Sequence, residues 1–308
     1  MTNDPVSDIL FVTGARSVLT GGFRAGPSWS LRYPAPAEIK FLAIAGGGGW
    51  LLMEGQDSPL KVDVGDVLLF NKSVGFTLAS DPSLQPLDAA LLFQGRRGTI
   101  VSLDDDGELQ HFGGHVALDP HSGWMLSSIL PPVLHIGSNS TEAPTLRWLI
   151  GRLAQEGFDL KAGSLFAASH ISQLLLVHIV RAHLGAVEHL QQGVLRAASD
   201  AQLSKALRVI HAQPGRKWML AELAQAAGMS RTIFAERFRE AAGTTPMMYL
   251  AQWRMLIAAY ELKIGSTSIA TLAEKLGYSS ESAFSQAFKR TIGQPPRRFA
   301  HEQNRSDE

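Results

Sequence analysis

The sequence predicts an α+β protein: an antiparallel β domain first, an all-α domain with two helix-turn-helix units second. Three observations carry this. A stretch of about fifty residues near the C-terminus is repeated, Leu220–Pro246 being echoed by Ile269–Pro296. The hydrophobic period changes along the chain, from short apolar runs before Gly114 to helical stripes after Thr145. A polar, small-residue stretch at 191–200 reads as a linker between them.

In the repeat, Leu223, Ala224 and Gly228 return as Leu272, Ala273 and Gly277, an offset of 49. Phe234, Phe238, Gly243 and Pro246 return as Phe284, Phe288, Gly293 and Pro296, an offset of 50. One residue is therefore inserted after the second Gly turn. Solenoids need three or more copies to bury a core. Two copies, each with a Gly turn between short apolar helices, fit the helix-turn-helix, whose second helix enters a DNA major groove.

Charge is split in the same way. The chain is neutral, with 28 Lys+Arg and 28 Asp+Glu. Residues 1–199 carry 13 basic and 18 acidic side chains, and residues 200–308 carry 15 and 10. A basic half beside an acidic half suits a DNA-binding domain joined to one that does not touch DNA. Cysteine is absent, which removes disulfides, thiol switches and Cys-ligated zinc, and suits a cytoplasmic protein. No leader is expected, because Asp4 and Asp8 stand where a basic segment belongs. Ile171–Leu184, with His178, Arg181 and His183, reads as too short and polar to span a bilayer, so no membrane partner is expected.

In the first half, Phe41–Ala45, Trp50–Met53, Val67–Phe70 and Ala89–Phe93 read as strands of a sandwich or barrel. Residues 62–67 read as one alternating strand closing on a Gly-Asp turn, and Gly46–Gly49 as a hairpin turn without the Lys-Ser/Thr sequel of a phosphate loop. Leu126–Ile136, broken by two prolines, reads as a connector. Leu146, Leu149, Ile150 and Leu153 form one helical stripe. Ile171, Leu174, Leu175, His178, Ile179 and Ala182 form a second, which fits either the β domain or a twin helix in a dimer. In the second half, Leu203–His211 precedes the repeat, and a long helix runs from Pro246 to Ile264. That helix is punctuated by Thr245 as N-cap, Pro246 at its first position and Gly265 beyond its end.

The candidate DNA contacts follow from the helix faces. In the first unit Ile233, Phe234, Phe238 and Ala241 or Ala242 are assigned inward, leaving Arg231, Thr232, Ala235, Glu236 and Arg239 behind an N-cap at Ser230. In the second, Phe284, Ala287 and Phe288 are inward, leaving Glu281, Ser282, Ser285, Gln286 and Lys289. Ser279 and Ser280 add donors at a helix N-terminus, where phosphate binds. Arg290, Arg297 and Arg298 are candidate phosphate clamps, and Arg254 reads as an internal ion-pair partner.

Residues 203–300 resemble the DNA-binding domain of AraC/XylS-type bacterial transcription regulators. The resemblance rests on Leu223-Ala224, Gly228-Met229-Ser230, Arg237-Phe238, Gly243, Pro246, Tyr249-Leu250, Arg254, Ala258, Leu262, Ile269, Leu272-Ala273, Gly277-Tyr278, Phe284, Phe288-Lys289, Gly293 and Pro296. It implies two DNA-reading units per chain, double-stranded promoter DNA as partner, a homodimer, and RNA polymerase as a further partner. The family often has Arg at the positions of Glu236 and Gln286. Arg favours guanine, Glu accepts from cytosine and Gln pairs adenine, so a different operator is expected.

Residues 8–185 resemble the cupin-like domain of one branch of these regulators. The matching words are Gly65-Asp66-Val67-Leu68-Leu69, Asp81-Pro82, Phe112-Gly113-Gly114-His115 with Asp119, and Leu130-Pro131-Pro132-Val133-Leu134-His135. The expected fold is thus a cupin-like barrel with flanking helices at 8–190, a linker at 191–200 and a double helix-turn-helix domain at 201–302. Related domains often carry His where this chain has Leu42 and Phe76, and Cys where it has Gly113. No metal, no cofactor and no cysteine redox sensing are therefore expected. His111, His115, His121 and His135 lack ligand spacing, and Asp104–Asp106 reads as a solvated acidic turn. Trp29, Trp50, Phe70, Phe76 and Phe93 are the candidate lining of an apolar effector pocket, for a small uncharged or aromatic molecule, with plain core as the competing reading. Two other functions were weighed against a regulator: a cupin-type enzyme with a DNA-binding tail, and an architectural DNA binder. The lost histidines and the missing nucleophile constellation oppose the first, and a well-formed N-terminal domain opposes the second.

Overall fold

The structure is a computed structural model that describes residues 4–56, 58–71, 74–95, 99–104, 107–128, 130–137, 139–159, 161–186, 192–265 and 267–306. The chain opens with α1 (Pro5–Val12), β1 (Arg16–Ala25), β2 (Ser30–Tyr33), β3 (Ile39–Ile44) and β4 (Gly49–Met53). Next come β5 (Leu60–Val62), β6 (Val67–Phe70), β7 (Phe76–Ala79), β8 (Leu87–Asp88), α2 (Ala89–Leu92), β9 (Thr99–Ser102) and β10 (Glu108–Ala117). Then α3 (Trp124–Ser127), β11 (Val133–Ile136), α4 (Ala143–Asp159), α5 (Ser164–Gly185), α6 (Val194–Ser199) and α7 (Leu203–Ala212) follow. The last six helices are α8 (Leu220–Ala226), α9 (Arg231–Ala242), α10 (Pro246–Lys263), α11 (Ile269–Lys275), α12 (Glu281–Ile292) and α13 (Pro296–Ser306).

The chain forms two compact units. One contains residues 16–117 and 130–189, the other residues 1–15, 118–129 and 190–308. Both are discontinuous, whereas the sequence reading drew each domain as a single stretch. The expected linker is also part of a unit: α6 buries Val194, Leu195 and Ala197, and only Gln191 of that stretch lies outside the described residues.

The β unit is two sheets, not a closed barrel. One has the order β11-β6-β3-β10-β1-β9 and the other β5-β4-β7-β2-β8. Pairing is antiparallel except at two edges, where β9 joins β1 and β8 joins β2 in parallel. The core lies between the sheets, with Phe23, Leu42, Ile44, Leu68 and Phe70 from one and Leu31, Tyr33, Leu51, Phe76 and Leu78 from the other. Residues 62–67 are not one strand but the passage between sheets, from β5 to β6, so Val64 is exposed. Asp66 shapes this turn by accepting from Asp63 N at 3.0 Å. Ala89–Leu92 is a helical turn rather than a strand, because Asp88 caps it and accepts from Ala90 N at 2.7 Å. The expected connector at 126–136 contains the end of α3 and all of β11.

Helix α4 buries Leu146, Leu149, Ile150 and Leu153, and packs on α5. Helix α5, at 22 residues, is long and apolar enough to cross a membrane. It buries Leu175, Leu176, Ile179 and Val180 and packs on β1 and β11, with 39% of its apolar window buried. Leu174, assigned to the inner stripe, is half exposed.

The helical unit receives the N-terminus. Helix α1 buries Ile9 and Val12 and packs on α7 and α10. Its Asp8 is buried beside His211 of α7, with Oδ2 at 3.1 Å from Nδ1, while His211 Nε2 meets the Tyr249 hydroxyl at 2.7 Å. The imidazole stacks on Trp253 with ring centroids 4.1 Å apart. Burial lowers the pKa of His211 and outweighs the opposing pull of Asp8 and Asp4. The contact is therefore a hydrogen bond to a neutral ring at pH 7, not an ion pair. Residues 118–128 add a second attachment: Asp119 binds Lys263 Nζ at 2.9 Å, and His121 packs edge-on to Phe299 at 4.8 Å.

Asp8→Ala leaves a buried donor of His211 without its partner, so the helical unit should lose about 1–3 kcal/mol of stability. Chemical denaturation of the full chain measures it. Because His211 binds a proton less readily when folded, stability should also fall as the pH drops below about 6.5. A His211→Gln variant that keeps the same pH slope would refute this.

Candidate nucleic-acid interface and sensor cavity

The two halves of the sequence repeat adopt the same local structure. In the first unit α8 leads to Gly228 at φ 69°, then to Ser230, whose side chain accepts from Ile233 N at the start of α9. In the second, α11 leads to Gly277 at φ 77°, then to Ser280, which accepts from Ala283 N at the start of α12. Both turns use the left-handed region that glycine enters without a Cβ clash. Phe234, Phe238 and Ala241 face inward on α9, as Phe284, Ala287 and Phe288 do on α12. Each fully buried Phe contributes roughly 1.5–3 kcal/mol.

The outward faces carry the expected contacts. Arg231, Thr232, Glu236 and Arg239 are exposed, and Ala235 is half-buried. On the second helix Ser279, Ser280, Ser282, Gln286, Lys289 and Arg290 are exposed, while Glu281 and Ser285 are half-buried. Ile233 is a correction: it is 56% exposed, because an inward face spaced at 234, 238 and 241 turns position 233 to solvent. It thereby joins the outer face, where an apolar side chain suits a thymine methyl. Arg237 is committed elsewhere, to Asp200 Oδ2 at 2.7 Å and Gln202 Oε1 at 2.9 Å. Arg297 and Arg298 are held by Glu281 and Glu302, at 3.1 and 2.7 Å. Such exposed pairs are worth about 0–1 kcal/mol, so a phosphate can displace them.

Helix α10 joins the two units. Thr245 caps it by accepting from Met248 N, and its 18 residues span about 27 Å. Its Arg254 does not pair with a carboxylate, as the sequence suggested, but donates to two carbonyls: Nε to Pro214 O at 2.7 Å and Nη2 to Arg216 O at 2.9 Å. The guanidinium also faces the Tyr278 ring at 5.8 Å. Gly215 sits where an added Cβ would strike Lys275 O, and Gly277 where one would strike Gly215 O. The loop before the first unit thus lies backbone-to-backbone on the turn of the second, with Arg254 pinning it.

Comparison with known proteins agrees with this geometry. The family described as Cupin matches residues 4–185, and that described as Helix-turn-helix domain matches residues 223–302. A putative AraC-like transcription regulator of Streptomyces lividans is 34% identical over 293 residues, 95% of this chain and 96% of that protein. This chain belongs to the AraC-like transcription regulators. The regulator AlkR of Acinetobacter baylyi is 32% identical over 272 residues, 85% of this chain and 87% of its own. Among solved structures, the DNA-binding domain of AdpA in complex with a target DNA is 26% identical with a TM-score of 0.32, covering 33% of this chain and 93% of that one. As in its family, the helix-turn-helix domain of this AraC-like regulator binds DNA.

Cavities open among the described residues of its β unit, two of which are told apart by their walls. The first, of about 320 Å³, is lined by Thr20, Gly21, Gly22, Tyr33, Pro34, Pro36, Lys40, Leu42, Ala89, Ala90, Phe93, His111 and Gly113. The second, of about 680 Å³, has Trp29 and Trp50 with Lys61, Asp63, Glu108 and Gln110 in its wall. The five aromatic residues expected to line one pocket are therefore divided. Phe93 reaches the first cavity and Trp29 and Trp50 the second. Phe70 and Phe76 stack on each other at 3.7 Å and fill the core, since facing rings from two sheets bury most area that way.

The first cavity is not purely apolar. Tyr33 and His111 share a 2.8 Å hydrogen bond between the hydroxyl and Nε2. Burial, helped by the nearby Lys40 charge, pushes His111 down to about 3, so its ring is neutral, and Nδ1 has no hydrogen-bond partner. Burial also lowers Lys40 to about 8. Sequence reasoning missed Lys40, although its parity offered a signal: it shares a strand face with Leu42 and Ile44, both core residues. The other histidines have separate partners. His115 lies 3.3 Å from Glu38 and His135 2.7 Å from Asp66, and no metal-holding group of three His, Asp or Glu occurs among the described residues. Asp104 accepts from Gly26 N at 2.9 Å, while Asp105 and Asp106 lie outside the described residues.

Arg254→Leu strips two carbonyls of their donor and frees one unit from the other. The variant should lose about 1–3 kcal/mol of stability. Its affinity for an operator with both half-sites should fall further than its affinity for a single half-site, read by fluorescence anisotropy. Equal losses on both DNAs would show that Arg254 does not set the spacing.

Proposed function

We propose that this chain is a cytoplasmic, sequence-specific regulator that reads promoter DNA with α9 and α12 together, under control of a signal received by its β unit. The observation that carries this is the duplicated helix-turn-helix, with two matching Gly turns and two outward faces rich in polar groups. The proposed base and phosphate contacts are Ser230, Arg231, Thr232, Ala235, Glu236 and Arg239 in one unit. In the other they are Ser279, Ser280, Glu281, Ser282, Ser285, Gln286, Lys289 and Arg290, and the exposed Ile233 is added to the first set. Lys and Arg supply the salt-dependent affinity, and Glu236 and Gln286 supply preference for cytosine and adenine. RNA polymerase is the proposed recipient of the signal at the promoter.

The protein acts as a homodimer in this reading. Phe166, His170 and Leu174 follow one another at four-residue spacing on α5, and Phe166 and Leu174 are 73% and 50% exposed. Trp148 on α4 is 63% exposed. Apolar side chains grouped this way on a surface mark an interaction face. Linking two DNA-binding units by dimerisation raises their effective concentration on a two-part operator.

Binding-site selection with the full chain tests the DNA reading. Gln286→Ala should relax preference at one part of the site and Glu236→Ala at another, each by about 1–3 kcal/mol. Unchanged preference in both variants would refute the assigned faces. Sedimentation tests the dimer: Phe166→Asp with Leu174→Asp should convert it to a monomer with an intact fold. A wild-type monomer at micromolar concentration would end the dimer reading.

A further inference from the structure

We propose that the smaller cavity of the β unit takes a monoanionic organic acid about two fused rings in size, whose carboxylate is received by Lys40. This rests on the reading of the β unit as the signal-receiving half, and it adds a negative charge to the small uncharged or aromatic molecule expected from the sequence.

The cavity is made by what is missing from its walls. Gly21 of β1 pairs with Gly113 of β10, so two neighbouring strands present no side chain to the interior at the same level. An added Cβ at Gly113 would meet Leu42 Cδ2, which marks Leu42 as the floor. Phe93 supplies an aromatic wall. The resulting 320 Å³ is about twice the volume of a cavity that holds one benzene, roughly 150 Å³. A bicyclic aromatic or a similarly compact branched body fits it.

Lys40 gives the cavity its polarity. It stands on the inward face of β3, and its Nζ lies 5.0 Å from the centre of the Tyr33 ring. No carboxylate among the described residues pairs with it, and burial alone accounts for its lowered pKa. An ammonium withdrawn from water needs an anion or a set of acceptors. The Tyr33 hydroxyl, which shares a hydrogen bond with His111, is neutral and gives the ammonium no counter-charge. A carboxylate entering the cavity restores to the ammonium both a charge partner and strong hydrogen bonds. One cation matches one negative charge. A phosphate dianion would leave its second charge against apolar walls, with no further cation among the described lining residues to receive it.

The test uses the full chain, 2-naphthoate as probe and 2-naphthamide as its neutral counterpart, with binding read by calorimetry. The wild-type protein should bind naphthoate at least tenfold more tightly than the amide. Lys40→Met should lose that preference while keeping its affinity for the amide, and should not melt earlier than wild type, since it removes a half-buried charge that pairs with no carboxylate among the described residues. Ala90→Trp, at an exposed position on the rim, should weaken both probes and leave the fold intact. Failure of both probes to bind wild type overturns the proposal. So does a naphthoate preference that survives in both Lys40→Met and Lys40→Gln. If naphthoate binds as described but leaves operator affinity unchanged, the cavity assignment stands and the regulatory role of the β unit falls.

Discussion

The geometry of DNA reading in this protein depends on one side chain, Arg254. Two helix-turn-helix units on a single rod have a fixed separation only if neither can swing about the rod's ends. Helix α10 supplies the separation, and the guanidinium supplies the lock, tying the loop at 214–216 to the helix while facing the turn of the second unit. A planar fork with donors in fixed directions can satisfy two carbonyls at once, which a lysine ammonium on a flexible stem does less well. The close approach of Gly215 and Gly277 follows from it, because two backbones must come within reach of one guanidinium. This contact ties the loop before the first helix-turn-helix to α10 beside the turn of the second.

What the sequence made legible was local. The Gly turns, the Ser230 N-cap and the Thr245-Pro246 start of α10 each involve residues within a few positions of one another, and each appears in the structure as read, while Ser280, read as the first helical residue, is the N-cap of α12. The inner faces of both recognition helices were legible too, apart from Ile233, which a strict 3.6-residue spacing would have placed outside. Non-local pairing was less visible. Short apolar runs announced strands but not their partners, so a closed barrel could not be told from two facing sheets. The decision rests on which strand edges meet, and no ladder joins the two sheets among the described residues. Arg254 was recognised as structural, but a charged residue suggests a charged partner, and carbonyl groups have no signature in a sequence.

The β unit shows the same limit in its interior. Aromatic residues were expected to line a pocket because they are large and apolar, yet size is what makes them fill space. Phe70, Phe76 and Tyr33 form a continuous stack, and the open volume lies where glycines face one another. A cavity is therefore better sought at paired glycines on adjacent strands than at aromatic clusters. Its one charge, on Lys40, stands out because its strand is otherwise apolar on that face.

The discontinuity of the helical unit has a consequence for how the chain is made. Helix α1 precedes the β unit in the chain, but the histidine that receives its Asp8 lies 203 positions later. Closing so long a loop costs little more in equilibrium entropy than closing a shorter one, since the penalty grows only logarithmically with length. Timing is a different matter, because domains fold as units in the order in which they are completed. The β unit has all its residues once position 189 is reached, whereas the helical unit still lacks most of its own. During synthesis, then, α1 lacks part of its packing surface until α7 and α10 emerge, although α3 and α6 come earlier. The DNA-binding half of this protein is completed after the β unit, around a helix made before it.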